Sequence, residues 1–430
     1  MRSASILILT TLLWTFSTMP TTAEDRPLLI LDGKAAKLVV DLGGGSISDF
    51  HLKSNDLNPL QWDSWAFSDT PNAEPPMEPR SMGHFLCLDR WGPATEAELG
   101  HGMGWHGEAT RVWWTLDQKA NKKDGYLNAA MSAELPLAGL KITRSLRMGE
   151  KQSIITVSEA VTNTRHLGRI YNIVQHPTIG PPFLDEGTIV DANGTRGFMQ
   201  ERPMPTPEVP EVRWPNALQM DGTKVDLRRL TDDSSPGVVS YIVEEEYGWT
   251  TAINASEGLL IGYLWPTADY PWFDAWRHVK DGKPFARGLE FGTTGLHQPG
   301  PVLVEKGKIF DQKIFRFIDA NETQVFSYAN FLMEIPKDFA GVATIDYTGD
   351  TLVIREDGGH YRTLTMDVGT LFPPRRKRVH VGLSAAADKR CPRRAHAPKG
   401  APVKLAPDVG TFFAGSTGTP FRRRADGGTF

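Results

Sequence analysis

The sequence predicts a mainly β protein, a large antiparallel β-sandwich. Short apolar runs alternate with polar residues at strand spacing through most of the chain. Gly, Asn, Asp and Pro punctuate these runs at close intervals. Sustained helical periodicity is scarce: the best window is Glu322–Leu332, and it is weak. Many short strands separated by turn signals bury their apolar faces most simply as two packed sheets. No internal repeat at a fixed period is visible.

The chain opens with an export signal: Arg2 supplies a positive charge, Ala4–Phe16 is apolar, and Thr21-Thr22-Ala23 offers small residues for cleavage before Glu24. The apolar run is too short to span a bilayer comfortably, and no later stretch qualifies as a membrane helix. Residues 1–23 are therefore expected to be a signal peptide, and the mature protein to be exported, periplasmic or secreted, and free of the membrane. A retained N-terminal anchor is the alternative.

The body follows. Lys37–Val40 and Ser46–Leu52 flank the Gly43-Gly44-Gly45 turn and predict an opening hairpin. Further strands are expected at Arg111–Leu116, Lys141–Met148, Ser153–Val161, Val238–Val243, Leu259–Tyr263, Lys308–Phe317, Gly341–Tyr347 and Thr351–Glu356. The last follows Gly349-Asp350, a tight-turn pair. Pro71–Pro79 and Glu201–Pro215 have the composition of surface loops, too short for interdomain linkers. One domain is expected over residues 24–372.

Charge divides the chain unevenly. Its 430 residues carry 47 Lys+Arg and 51 Asp+Glu, a net charge of −4. Residues 372–430 hold 13 basic and 3 acidic residues, which leaves residues 1–371 at −14. An acidic body gives no case for nucleic acid as a partner. In residues 373–430 the periodic patterning stops, and Arg, Pro, Ala and Gly dominate. This segment is either a disordered basic tail or a gene-model frameshift. The two cysteines, Cys87 and Cys391, lie in regions of different character, which argues against a disulfide and against a cysteine metal site.

Three stretches concentrate reactive polar residues among aromatics. Gly83–Trp114 holds His84, Asp89, Arg90, His101 and His106; Tyr171–Asp191 holds His176; Tyr270–Gln298 holds Trp272, Asp274, Trp276, Arg287, Glu290 and His297. His101 and His106 are five apart in a Gly-rich loop, which is neither an HExxH helix nor a Cys/His cluster, so no metal is expected. There is no phosphate-binding loop, no dinucleotide fingerprint and no GxSxG elbow. What remains is a His/Glu pair without a nucleophile. Such a pair suits acid–base work on a substrate with two exchangeable oxygens close together. The tryptophans suit the C–H faces of a sugar ring, with polar groups reading its hydroxyls.

Trp105-His106-Gly107-Glu108-Ala109, His176-Pro177 with Gly180–Thr188 (GPPFLDEGT), and Ala286–Gly292 (ARGLEFG) resemble, in order, three signatures of the aldose 1-epimerase (galactose mutarotase) superfamily. The resemblance covers about Ala36 to Phe372 and is closest to divergent members of that family. It implies a β-supersandwich with the sugar in a cleft on one sheet, and a cofactor-free reaction. In that reaction a glutamate takes the C1 hydroxyl proton and a histidine protonates the ring oxygen. The C1–O5 bond opens, the aldehyde rotates, and the ring recloses. The resemblance assigns Glu290 as base, His176 as acid and His106 as a sugar-binding histidine. Arg90, in the DRWG stretch, matches the family's substrate-binding arginine. Trp276 and Asp274 are candidates for substrate binding, as is Asp226.

Several expectations accompany these roles. Arg277 and Arg287 would help hold Glu290 ionised. His176 would carry a proton part of the time at neutral pH. Acid and base would sit several ångströms apart across the cleft. Pro177–Pro182 would be the rigid turn that aims His176 from a strand exit. Thr178–Pro182 replaces the aromatic-rich phrase of the better-known mutarotases, which puts the substrate in question. A small-molecule sugar is the expected partner. Two further functions stand beside epimerisation: sugar binding without catalysis, and a polysaccharide lyase or hydrolase using Tyr171 or Asp185.

Overall fold

A computed structural model of the chain describes residues 26–372, except 69, 72, 220 and 230–236. The expected signal peptide and the basic tail lie outside the described residues.

Two large antiparallel sheets carry the structure, one of 12 strands and one of 8. In the larger, the neighbours that matter run Ser46–Leu52, His84–Asp89, Arg169–Ile179, Lys283–Gly288, Trp272–Lys280, Val238–Val243 and Gly194–Met199. The short strand Glu290–Gly292 continues beside Trp272–Lys280 and Arg169–Ile179. The smaller sheet includes Tyr126–Leu135, Leu140–Gly149, Ile154–Asn163, Thr323–Glu334 and Leu259–Pro266. Apolar residues of both sheets merge in one core, with Leu86, Leu88 and Ile173 from the first and Met131, Ile142, Val157 and Tyr263 from the second. A three-stranded sheet, Val342–Thr348, Thr351–Glu356 and Thr363–Asp367, packs Ile345, Leu352 and Ile354 against Leu260, Leu264 and Phe331 on the far side of the smaller sheet. Among the described residues no helix is long and apolar enough to cross a membrane.

The opening hairpin forms as expected, and its glycines are required. Gly44 and Gly45 have φ of +110° and +66°, and a Cβ on Gly45 would lie 2.4 Å from the Trp114 ring. The weakly helical window is instead the 12-residue strand Thr323–Glu334. It runs through the middle of its sheet with Phe326–Leu332 buried without a break. Burial on both faces erases the alternation that would have marked it as a strand. Lys308–Phe317 breaks into three short pieces, Lys308–Ile309, Gln312–Lys313 and Arg316–Ile318, interrupted by left-handed Phe310 and Asp311. The strand expected from Arg111 starts only at Thr115, after a 3-10 turn at Ala109–Arg111.

Alternation along Arg169–Ile179 divides the molecule's chemistry in two. Tyr171, Ile173, Gln175 and Ile179 face the inter-sheet core. There Gln175 donates to Glu159 Oε2 at 2.6 Å and to Tyr270 Oη at 3.1 Å, and its Oε1 lies 3.1 Å from His84 Nε2. Arg144 closes this buried network on Glu159 at 2.8 Å and on the Gly45 carbonyl. Val174, His176 and Thr178 face the other way, onto the outer face of the larger sheet.

Candidate functional site

His176 is the eighth of 11 residues in its strand, not a residue at a strand exit. Pro177 lies within the same strand, so strand alternation and the packing of neighbours aim the ring, not a Pro-rich turn. Phe85, directly opposite on His84–Asp89, stacks on the imidazole at 4.1 Å between ring centroids and 20° between planes. His176 Nδ1 lies 3.0 Å from Thr178 Oγ1, and Nε2 lies 3.2 Å from Glu290 Oε1. The residues expected as acid and base are thus in direct contact, not several ångströms apart across a cleft.

Glu290 reaches the same face by its own alternation: Leu289 and Phe291 enter the core and Glu290 points outward. The indole of Trp91 donates to its Oε2 at 2.7 Å. Arg277 and Arg287 do not support it. They pair with each other across Trp272–Lys280 and Lys283–Gly288. They lie on the core side of the sheet, with Phe273 and Ala275 on one strand and Leu289 following on the other. The ionisable neighbour of Glu290 is Asp274, its register partner on the adjacent strand. Burial, and then Asp274, push the Glu290 carboxyl well above the usual carboxylate range.

His106 comes in from a loop. It and Gly107 both adopt the left-handed region, with φ of +60° and +83°, and a Cβ on Gly107 would lie 1.9 Å from the Leu88 carbonyl. The strained pair is held by backbone bonds in both directions: His106 N donates to the Gly92 carbonyl at 3.1 Å, and Gly92 N donates to His106 Nδ1 at 3.2 Å. Glu108 anchors the loop further, accepting from the amides of Leu137 and Ala138 at 3.2 and 2.6 Å. Because Nδ1 accepts a backbone N–H, Nε2 carries the ring proton and His106 presents a donor. That tautomer suits a sugar hydroxyl and does not suit a metal ion. Among the described residues no cluster of His, Cys, Asp or Glu is placed to hold one.

The His106 ring lies 5.5 Å from that of His176 and 5.7 Å from that of His297. Trp105, Trp91 and Trp276 pack around these imidazoles, at 5.4 Å from Trp105 to His297, 4.7 Å from Trp91 to His297 and 5.9 Å from Trp276 to His176. Trp62, Phe67 and Phe285 extend the aromatic wall beyond Trp276. Burial keeps all three histidines neutral: His106 falls to about 3 and His297 to about 4, and His176 is held well below its ordinary value. An imidazole protonated part of the time at neutral pH is therefore not what this site holds.

The other sequence candidates divide. Trp276 lines the site, whereas Trp272 is buried in a separate apolar cluster with Phe198 and Leu296. Asp274 is on the site face but fully buried, beside Glu290 on the adjacent strand. Arg90 is locked by two carboxylates, at 2.7 Å from Asp89 and 2.8 Å from Glu98. His101 is exposed at the end of the helix Glu96–Gly100. Asp226 is exposed, accepting from the Arg228 amide at 2.8 Å. Tyr171 faces the core and donates to Gln324 at 2.7 Å, on the opposite side of the sheet from His176. Asp185 caps its own turn, accepting from the Gly187 amide at 2.8 Å. Trp91, Thr178 and His297 were not singled out as site residues. Trp91 stands inside the DRWG stretch, which was its available signal.

This architecture is the galactose mutarotase-like fold. A galactose mutarotase-like protein from Clostridium acetobutylicum superposes with a TM-score of 0.52 at 11% identity, over 74% of this chain and 98% of that one. A protein from Synechocystis sp. PCC 6803 gives 0.51 at 12% identity, over 75% and 100%. A galactose mutarotase related enzyme from Lactobacillus acidophilus gives 0.50 at 10% identity, over 72% and 98%. No family model and no curated protein matches the sequence.

Proposed function

We propose that the protein is an exported, aldose 1-epimerase-like isomerase that interconverts the anomers of a sugar by acid–base ring opening. The observation that carries this reading is the contact of His176 Nε2 with Glu290 Oε1 at 3.2 Å, with the Nε2–H donor of His106 beside it on the same face. The proton count of the pair suits the reaction. A neutral His176 beside a protonated Glu290 and an imidazolium beside a carboxylate differ only by one proton shifted across that contact. In the second form Glu290 takes the C1 hydroxyl proton while His176 protonates the ring oxygen. The C1–O5 bond then breaks, and rotation about C1–C2 and reclosure return both protons. A well-placed acid or base contributes on the order of 10²–10⁴-fold. Trp276, Trp105 and the His106 donor are the proposed sugar contacts.

Polarimetry and saturation-transfer NMR on a panel of aldoses test this. Faster anomer exchange with the wild type than with Glu290→Gln supports the reading; equal rates on every sugar refute it. One observation favours sugar binding without turnover: Glu290 is 1% exposed and His176 Nδ1 is already engaged by Thr178. That second reading expects a Glu290→Gln variant to retain full sugar affinity with no rate to lose.

A further inference from the structure

Asp274 is the most unusual group near the site. It is completely buried, and neither carboxyl oxygen has a hydrogen bond of good geometry. A buried carboxylate left this way is costly, and a protonated acid is the cheaper form. Its surroundings are specified. Glu290 faces it from Glu290–Gly292 and Ser240 from Val238–Val243, both in direct register. Cys87, on the same face of His84–Asp89, has its thiol pushed up by burial first and then by Glu290 and Asp274. Arg277, on its own strand, lies on the core side.

The remaining neighbour fixes the direction of the polar contacts. Gln200 Oε1 accepts from the His297 amide at 2.9 Å, and its Nε2 donates to the Gly295 carbonyl and to Ser240 Oγ, each at 2.7 Å. Two backbone groups therefore set which end of the Gln200 amide is which. Ser240 Oγ is an acceptor from Gln200, so its own proton is left to point across the strand pair at Asp274. The row Gln200–Ser240–Asp274–Glu290 runs across four neighbouring strands and their ends, and ends on the acid–base contact with His176.

We propose that Asp274 is a positioning residue for that contact: a buried carboxylic acid that keeps its proton while Glu290 gives and takes the working one. Two adjacent buried carboxylates repel, so a protonated Asp274 lets Glu290 ionise without a second like charge beside it. The assignment also explains why a substrate-binding role does not suit Asp274: its side chain is completely buried. It rests on the epimerase reading for its purpose, but not for its test. Burial raises Asp274, with the Ser240 hydroxyl opposing, which agrees with the geometry.

Infrared spectra of protein labelled with 13C at the aspartate side-chain carboxyl, titrated from pH 4 to pH 9, provide that test. The expected result is a protonated aspartic acid band that persists at neutral pH, is absent from Asp274→Asn and remains in Glu290→Gln. Ser240→Ala should move its titration to higher pH, and it serves in place of Asp274→Asn if that variant does not fold. Loss of every protonated aspartate band by pH 7, or a band unchanged by both the Asp274 and the Ser240 substitutions, overturns the proposal. Neither outcome depends on turnover, so failure of the epimerase reading would show separately, as sugar panels with no enzymatic exchange. If exchange is found, the acid limb of its pH–rate profile should stay in place in Asp274→Asn, the neutral isostere of the protonated acid; a shift to lower pH would reveal an ionised Asp274 and overturn the proposal.

Discussion

His176 and Glu290 meet through Nε2 and Oε1 at 3.2 Å, although 113 positions separate them in the chain. Phe85 covers one side of the imidazole and Trp91 holds the other carboxylate oxygen. The two side chains therefore behave as one unit. His176→Gln and Glu290→Gln should each lower anomer exchange by about 10²–10⁴-fold, and the double variant should be little worse than the poorer single. Single and double variants assayed on one active sugar, with fold checked by circular dichroism, measure the coupling; additive losses would contradict it.

Trp91→Phe removes one hydrogen bond and leaves Glu290 Oε2 buried without its donor. The expected cost is about 1–3 kcal/mol of stability, read from urea unfolding. The Trp91 bond also draws the Glu290 pKa downward. Without it, the acid limb of any pH–rate profile should move to higher pH.

The histidines give the stability a pH dependence of known sign. His297 falls to about 4 in the folded protein, against 6.5 for the unperturbed group. The unfolded chain therefore binds the extra proton between those values. The contribution of His297 is complete above pH 6.5 and is lost as the pH falls toward 4. Unfolding free energies at pH 7, 6 and 5 should fall less steeply in His297→Gln, by at most about 1.4 kcal/mol per pH unit. The raised carboxyls of Glu290 and Asp274 act oppositely, stabilising at low pH and losing that contribution as pH rises. The difference between variant and wild type isolates the histidine.

Arg90→Ala tests a role that the structure argues against. Its guanidinium is engaged by Asp89 and Glu98, and Arg90 holds the Glu98 carboxyl down at about 2. The substitution should destabilise the Thr95-capped helix Glu96–Gly100 and its loop while changing sugar affinity less than twofold. Calorimetric titration of an accepted sugar, beside a thermal melt, separates the two effects. A large loss of affinity with an unchanged melt would restore Arg90 to the binding surface.

The fold was legible because strand alternation and turn residues are local signals. Ser46–Leu52, Val238–Val243 and Thr351–Glu356 form at the limits the sequence predicts. Thr323–Glu334 was not legible as a strand, since a segment buried on both faces has no period to read. His106, His176 and Glu290 were found through motifs, and the structure brings them to one face. Their environment was not legible. Which face Arg277 and Arg287 occupy depends on the parity of two strands. The contact of Asp274 with Glu290 depends on a register between strands that no local pattern specifies. The low pKa values of the histidines follow from burial under aromatics distant in sequence.

Gln175 and His176 are consecutive, yet one clamps the interior through Glu159 and the other meets Glu290 outside. A single inserted or deleted residue before them would exchange their faces. It would bring an imidazole against Arg144 and Glu159 and leave an amide at the site. Length changes within Arg169–Ile179 are thereby forbidden in odd steps, whatever side chains they introduce. Variation in what the site admits is left to the loops bearing Trp62, Phe67, Trp105 and His106, which can lengthen or shorten without shifting this strand.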